Sequence, residues 1–112
     1  MTVEHAYQSH KTLDESVRET IRNANDPAVA KKLGRGIILR PDWDIVKESL
    51  MRDFLQKKFE SPFLAYLLQA TGDALLIHGN SWNDRVWGVC RGRGDNLLGK
   101  ILMDIRGSLN LI

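Results

Sequence analysis

Leu76-Ile77-His78-Gly79-Asn80-Ser81-Trp82-Asn83-Asp84-Arg85-Val86-Trp87-Gly88-Val89-Cys90-Arg91-Gly92-Arg93-Gly94-Asp95-Asn96 runs straight into Leu97-Leu98-Gly99-Lys100-Ile101-Leu102-Met103-Asp104-Ile105-Arg106. The first part holds too much Gly and Asn for a regular element. The second repeats apolar residues at helical spacing, which predicts a final helix from about Asn96 that buries Leu98, Ile101, Leu102, Ile105 and Leu109. Within the loop, Trp82 and Trp87 bracket Asp84. Large flat side chains with polar groups between them suit a pocket that stacks on a planar ligand and offers hydrogen bonds. From the residues alone, a rigid loop pinned to the core by its tryptophans is the plainer reading.

Upstream the chain punctuates itself as a string of helices. Val3 to Thr12 reads as a short helix, and Glu4 and Lys11, two turns apart, project from nearly the same face with Tyr7 and Gln8 between them. Such a pair is ordinarily a solvated helix face. Asp14 caps a second helix with Leu13, Val17, Ile21 and Ala24 on one stripe. Asp26-Pro27 starts a third, which Gly34 closes at Leu33. Lys31, Lys32 and Arg35 suit the dipole at its end. Gly36 to Leu39 reads as extended. A long helix follows from about Trp43 to Glu60, its Trp43, Val46, Leu50, Phe54 and Leu55 stripe being core. Ser61-Pro62 opens another helix that ends at Gly72 and buries Phe63, Tyr66 and Leu67. Ala74 to Ile77 is a short strand or buried extended segment. The fold class is therefore mainly α, or α+β with at most a small sheet, in one domain over residues 1–112.

Composition narrows the function classes. Apolar residues are 43% and charged residues 27% of the 112, and sixteen Lys and Arg against fourteen Asp and Glu leave +2. No bulk electrostatic pull toward nucleic acid or membrane follows. One cysteine, Cys90, forms no internal disulfide, and there is no leader or membrane-length apolar run, so a cytoplasmic protein is expected. His5, His10 and His78 lack the spacing of a metal cluster, so no zinc site is expected. Gly92 and Gly94 lead into a helix start that could present N–H groups to a phosphate, or they form a plain connection. Arg93-Gly94-Asp95 spells an adhesion tripeptide by coincidence.

The run Gly79-Asn80-Ser81-Trp82-Asn83-Asp84, then Trp87-Gly88-Val89-Cys90, Gly92, Gly94, Asn96, Leu98-Gly99-Lys100-Ile101-Leu102-Met103 and Arg106, resembles the NADAR family, also called YbiA-like. The opening Thr2-Val3-Glu4-His5-Ala6-Tyr7-Gln8 with Lys11-Thr12 resembles that family's other signature, and Gly34-Arg35, Trp43, Lys47, Met51 and Lys58-Phe59 match between them. The resemblance implies a YbiA-like helical fold and N-glycosidase activity that uses no cofactor, cleavage of a ribose–nitrogen bond. It implies as substrates a phosphorylated ribosylamino-pyrimidine of flavin synthesis or ADP-ribose on guanine in nucleic acid.

Breaking that bond builds positive charge on the sugar carbon, which carboxylates stabilise while one activates water. The resemblance makes Glu4 and Asp84 that pair. Lys11 is either a nucleophile that forms a Schiff base with the sugar carbon or a phosphate contact. The resemblance also has Trp87 and Trp82 stack on the base and Tyr7 and Gly88 line the substrate, while Arg35 either meets a phosphate with its guanidinium fork or serves only the helix end. Asn96 and Arg106 hold polar groups or brace the loop. Two departures stand out. Family members carry an upstream Phe-Leu-Ser-Asn-Phe-like segment that this chain is expected to lack, and His78 stands where many have an acid. The alternatives to an enzyme are a nucleotide-binding module without turnover and a protein whose Trp loop is merely packed. Oligomeric state stays open.

Overall fold

The computed structural model describes residues 2–109, which hold six helices and one pair of very short strands. The fold is mainly α with a small sheet, as expected. The residues gather into two compact units that divide between Leu55 and Gln56.

In the N-terminal unit α1 (Val3–Ser9) packs on α2 (Glu15–Arg22) and α3 (Pro27–Arg35), which also touch each other. Each start has a local cause. The Thr2 hydroxyl accepts from the backbone N–H of His5 while the His5 ring accepts from the N–H of Thr2, a capping box. Asp14 accepts from the N–H groups of Ser16 and Val17, and these bonds with that of the Ser16 hydroxyl hold its carboxyl below the usual carboxylate range. Asp26 caps Val29 ahead of Pro27. Ile21 and Ala30 are fully enclosed, and Trp43, Met51 and Leu55 of α4 (Trp43–Lys58) are buried.

Several boundaries depart from expectation. α1 stops at Ser9, so Lys11 sits in the following turn. The Ser9 hydroxyl (2.9 Å) and His10 Nδ1 (2.7 Å) both bond the Ala6 carbonyl and compete with helix propagation, and the Lys11 carbonyl instead accepts from the N–H of Arg40 at 2.6 Å. α3 runs through Gly34 to Arg35. Leu13 is 63% exposed because it precedes the cap and lies outside the helical stripe.

In the C-terminal unit α5 (Pro62–Gln69) packs on α6 (Leu97–Leu109). Phe63 is 69% exposed and Tyr66 and Leu67 are also exposed, while Leu68 is buried. Leu64 and Leu68 lie one turn apart, and that is the stripe α5 turns inward. Residues 74–77 form no strand; the pairing begins two residues later, with β1 (Gly79–Asn80) parallel to β2 (Val89–Cys90) in the register Gly79–Val89 and Asn80–Cys90. Ile101, Ile105 and Cys90 complete this core.

Candidate active site

α1 and α3 together build a charged cluster in the N-terminal unit. Glu4 lies in the first turn of α1, and Gln8, one turn on, donates from Nε2 to Glu4 Oε1 at 3.0 Å. Lys11 is half-buried, and its Nζ stands 5.7 Å from the centre of the Tyr7 ring. Tyr7 in turn packs against Trp43, ring centres 5.0 Å apart and tilted by 58°. Burial pushes the Lys11 amine below its ordinary range, Glu4 opposes that, and Arg35 and Lys31 add to it. Four expected residues, Glu4, Tyr7, Lys11 and Arg35, therefore belong to one cluster.

Gln8 was not expected to take part, yet it is central. Only 4% of it is exposed, and its Oε1 is buried with no hydrogen-bond partner among the described residues. A Cβ on Gly34 would stand 1.9 Å from that oxygen. The glycine is thus a seat for the amide rather than the end of α3. The four-residue spacing from Glu4 was the available signal.

The C-terminal unit holds the other candidates, Arg106 on α6 and the rest on the stretch that leads from β1 to α6. The Asp84 N–H donates to Asn80 Oδ1 at 2.9 Å, and Asn80 Nδ2 donates to the Asp84 carbonyl at 2.8 Å. Asp84 Oδ1 accepts from the N–H groups of Val86 (3.2 Å) and Trp87 (2.9 Å). Asp84 is accordingly a loop former, its carboxylate holding the backbone of Val86 and Trp87. Trp82 is exposed and meets the His78 ring edge-on at 5.9 Å, while Trp87 is half-buried. Gly88 is required by close approach, since a Cβ there would stand 2.1 Å from the His78 carbonyl oxygen.

For Asn96 and Arg106 the bracing role is the one visible. Buried Asn96 accepts from the His78 N–H at 3.0 Å and donates to the Leu76 carbonyl at 2.9 Å. Arg106, 8% exposed, donates to the Thr71 hydroxyl at 2.9 Å. The Gly92–Gly94 segment is a connection: Leu97 and Leu98, at the start of α6, already donate to the carbonyls of Val86 and Trp87. A cavity of about 570 Å³ in this unit is walled by leucines such as Leu64, Leu68 and Leu102, with His78 at one side, and none of the expected site residues lines it. Among the described residues no group of three His, Cys, Asp or Glu is placed to hold a metal ion. Nor, among them, is any helix long and apolar enough to cross a membrane.

The model of the NADAR domain matches residues 1–110. The chain belongs to the NADAR family. N-glycosidase YbiA of Escherichia coli (strain K12) is 44% identical to it, over 96% of this chain and 69% of that protein. An NMR structure of E. coli YbiA superimposes with a TM-score of 0.87 at 42% identity, covering 97% of this chain and 67% of that one. A riboflavin biosynthesis protein of Vibrio vulnificus is 38% identical over 95% of this chain and 30% of its own length. This NADAR chain is thus a member of a family of N-glycosyl hydrolases, as its motifs imply, with a YbiA-like fold.

Proposed function

We propose that this NADAR chain hydrolyses the ribose–nitrogen bond of a ribosylamino-pyrimidine phosphate, with Lys11 as nucleophile and Glu4 as its proton acceptor. The observation that carries this reading is Lys11 itself, an amine half-buried over the Tyr7 ring, in the cluster that holds the Glu4 carboxylate, and pushed toward its neutral form by burial. The Vibrio relative's name places a family member in riboflavin biosynthesis, which supports that substrate class.

In this scheme the Nζ lone pair forms a bond to the sugar's anomeric carbon as the bond to the base nitrogen breaks. The leaving nitrogen takes a proton, and Glu4 accepts the proton that Nζ sheds. Ring opening gives an imine between Lys11 and the sugar, and water then releases the sugar phosphate and restores the amine. Arg35, with Lys31 near it, receives the phosphate. Tyr7 lines the sugar's surroundings. For the loop of the C-terminal unit, the family resemblance assigns base stacking to Trp82 and Trp87 and a second carboxylate to Asp84.

The test runs a ribosylamino-pyrimidine phosphate and an ADP-ribosylated guanine oligonucleotide in parallel, with base release read by mass spectrometry. Turnover of the first, with a borohydride-trapped adduct that Lys11→Ala abolishes, is the expected result. Turnover without an adduct replaces the imine by carboxylate-activated water, and turnover only of the oligonucleotide moves the substrate class to ADP-ribosyl guanine. Binding of either probe without turnover makes the chain a nucleotide-binding module and overturns the enzymatic reading.

A further inference from the structure

We infer that Gln8 is the positioning residue for Glu4 and that Gly34 exists to seat it, a role that rests on the N-glycosidase reading of the cluster. Gln8 occupies a buried place that a Met or Leu of similar size would fill without a polar group. Its Oε1 is enclosed and has no hydrogen-bond partner among the described residues, which is unfavourable in a protein interior. Turning the amide over gives no relief, because its carbonyl would then face a carboxylate. What the amide supplies and a hydrocarbon does not is the Nε2 donor on Glu4 Oε1 at 3.0 Å.

The seat is specific. On α3, Gly34 leaves room for that amide, and an added Cβ would stand 1.9 Å from Oε1 and 2.8 Å from Cδ. These two nearest atoms are at the free end of the side chain, and Gln8 Cβ stands 3.1 Å away, so a methyl at Gly34 displaces chiefly the amide. Glu4 is the group that opposes the lowering of the Lys11 pKa, against burial, Arg35 and Lys31. A carboxylate released from Gln8 holds that ammonium less firmly.

Three variants test this: Gln8→Ala, Gly34→Ala and the pair. Two readouts are taken after a thermal melt shows each chain folded. The first is the Lys11 ammonium titration by nitrogen-15 NMR, assigned by its loss in Lys11→Met and bounded by Glu4→Gln. The second is turnover of a ribosylamino-pyrimidine phosphate. Each single variant is expected to move the Lys11 midpoint down, toward its value in Glu4→Gln. Each should also lower kcat on the order of tenfold to a hundredfold with little change in KM. The pair should come close to Gln8→Ala, because with the amide gone the added methyl meets only the Cβ of residue 8, 3.1 Å away, which needs to give by a few tenths of an ångström. A Lys11 midpoint and kcat that stay put in folded Gln8→Ala overturn the inference, as does an undiminished Gly34→Ala effect in the pair. Movement of the midpoint with no turnover by the parent chain on any probe retires the proposed substrate chemistry and leaves the positioning role standing.

Discussion

Lys11 carries two opposed demands, since folding favours a solvated ammonium and attack on a sugar carbon requires a neutral amine. Its folded pKa lies below the unfolded value, so the unfolded chain binds more protons between the two, and stability rises with pH through that window. Lys11→Met is expected to abolish turnover while leaving the thermal midpoint at neutral pH equal or higher; a clear drop would assign the ammonium a structural role. The rate of the parent chain should rise with pH as the amine deprotonates. Arg35→Ala removes a cation that lowers the Lys11 pKa, which moves that limb to higher pH; Glu4→Gln removes the opposing carboxylate and moves it to lower pH. Coincident limbs in a kcat/KM profile of all three chains would remove Lys11 from the chemistry. Asp84 needs a gentler substitution than alanine, because Oδ1 holds the N–H groups of Val86 and Trp87. Asp84→Asn keeps that acceptor and removes the charge. It is expected to melt with the parent chain and to lose about 10²-fold in rate, and full activity would make Asp84 a loop brace alone.

Elements were legible where their causes are local. The caps at Asp14 and Asp26 sit next to the N–H groups they satisfy, and both helices start where the sequence says. Faces and ends were less legible, because they answer to partners remote in the chain. α5 turns Leu68 inward and leaves Phe63 outside, which its own hydrophobicity does not decide. The segment before β1 is held by Asn96, whose amide bonds the backbone of both Leu76 and His78. Asn96 also lies at φ 54°, in the left-handed region that asparagine tolerates better than most residues. Asn96→Ala strands two half-buried backbone groups and is expected to cost about 1–3 kcal/mol in urea unfolding. A loss within error of zero would mean that water replaces the amide. Asp26→Ala is the comparison, at about 1 kcal/mol for a lost cap.

For the molecule as a whole, the net charge of +2 offers little general attraction to polyanions. Unmodified oligonucleotide is therefore expected to bind only weakly, with a Kd of about 10⁻⁴ M or above at physiological salt by filter or fluorescence titration. Turnover should survive EDTA, since the chemistry proposed uses an amine and carboxylates; loss that added metal restores would replace that scheme. By itself the sequence determined family, helix order and helix starts, because motifs and caps are relations between residues adjacent along the chain. It also named Glu4 and Lys11, though as neighbours on a helix that in fact ends before Lys11. The tertiary structure alone decided what those residues are worth. The displaced Lys11 pKa, the Gln8 amide seated on Gly34 and the Asn96 brace each depend on groups far away in sequence. Burial and hydrogen bonding are set by what folding brings alongside a residue, and no window of sequence contains that neighbour.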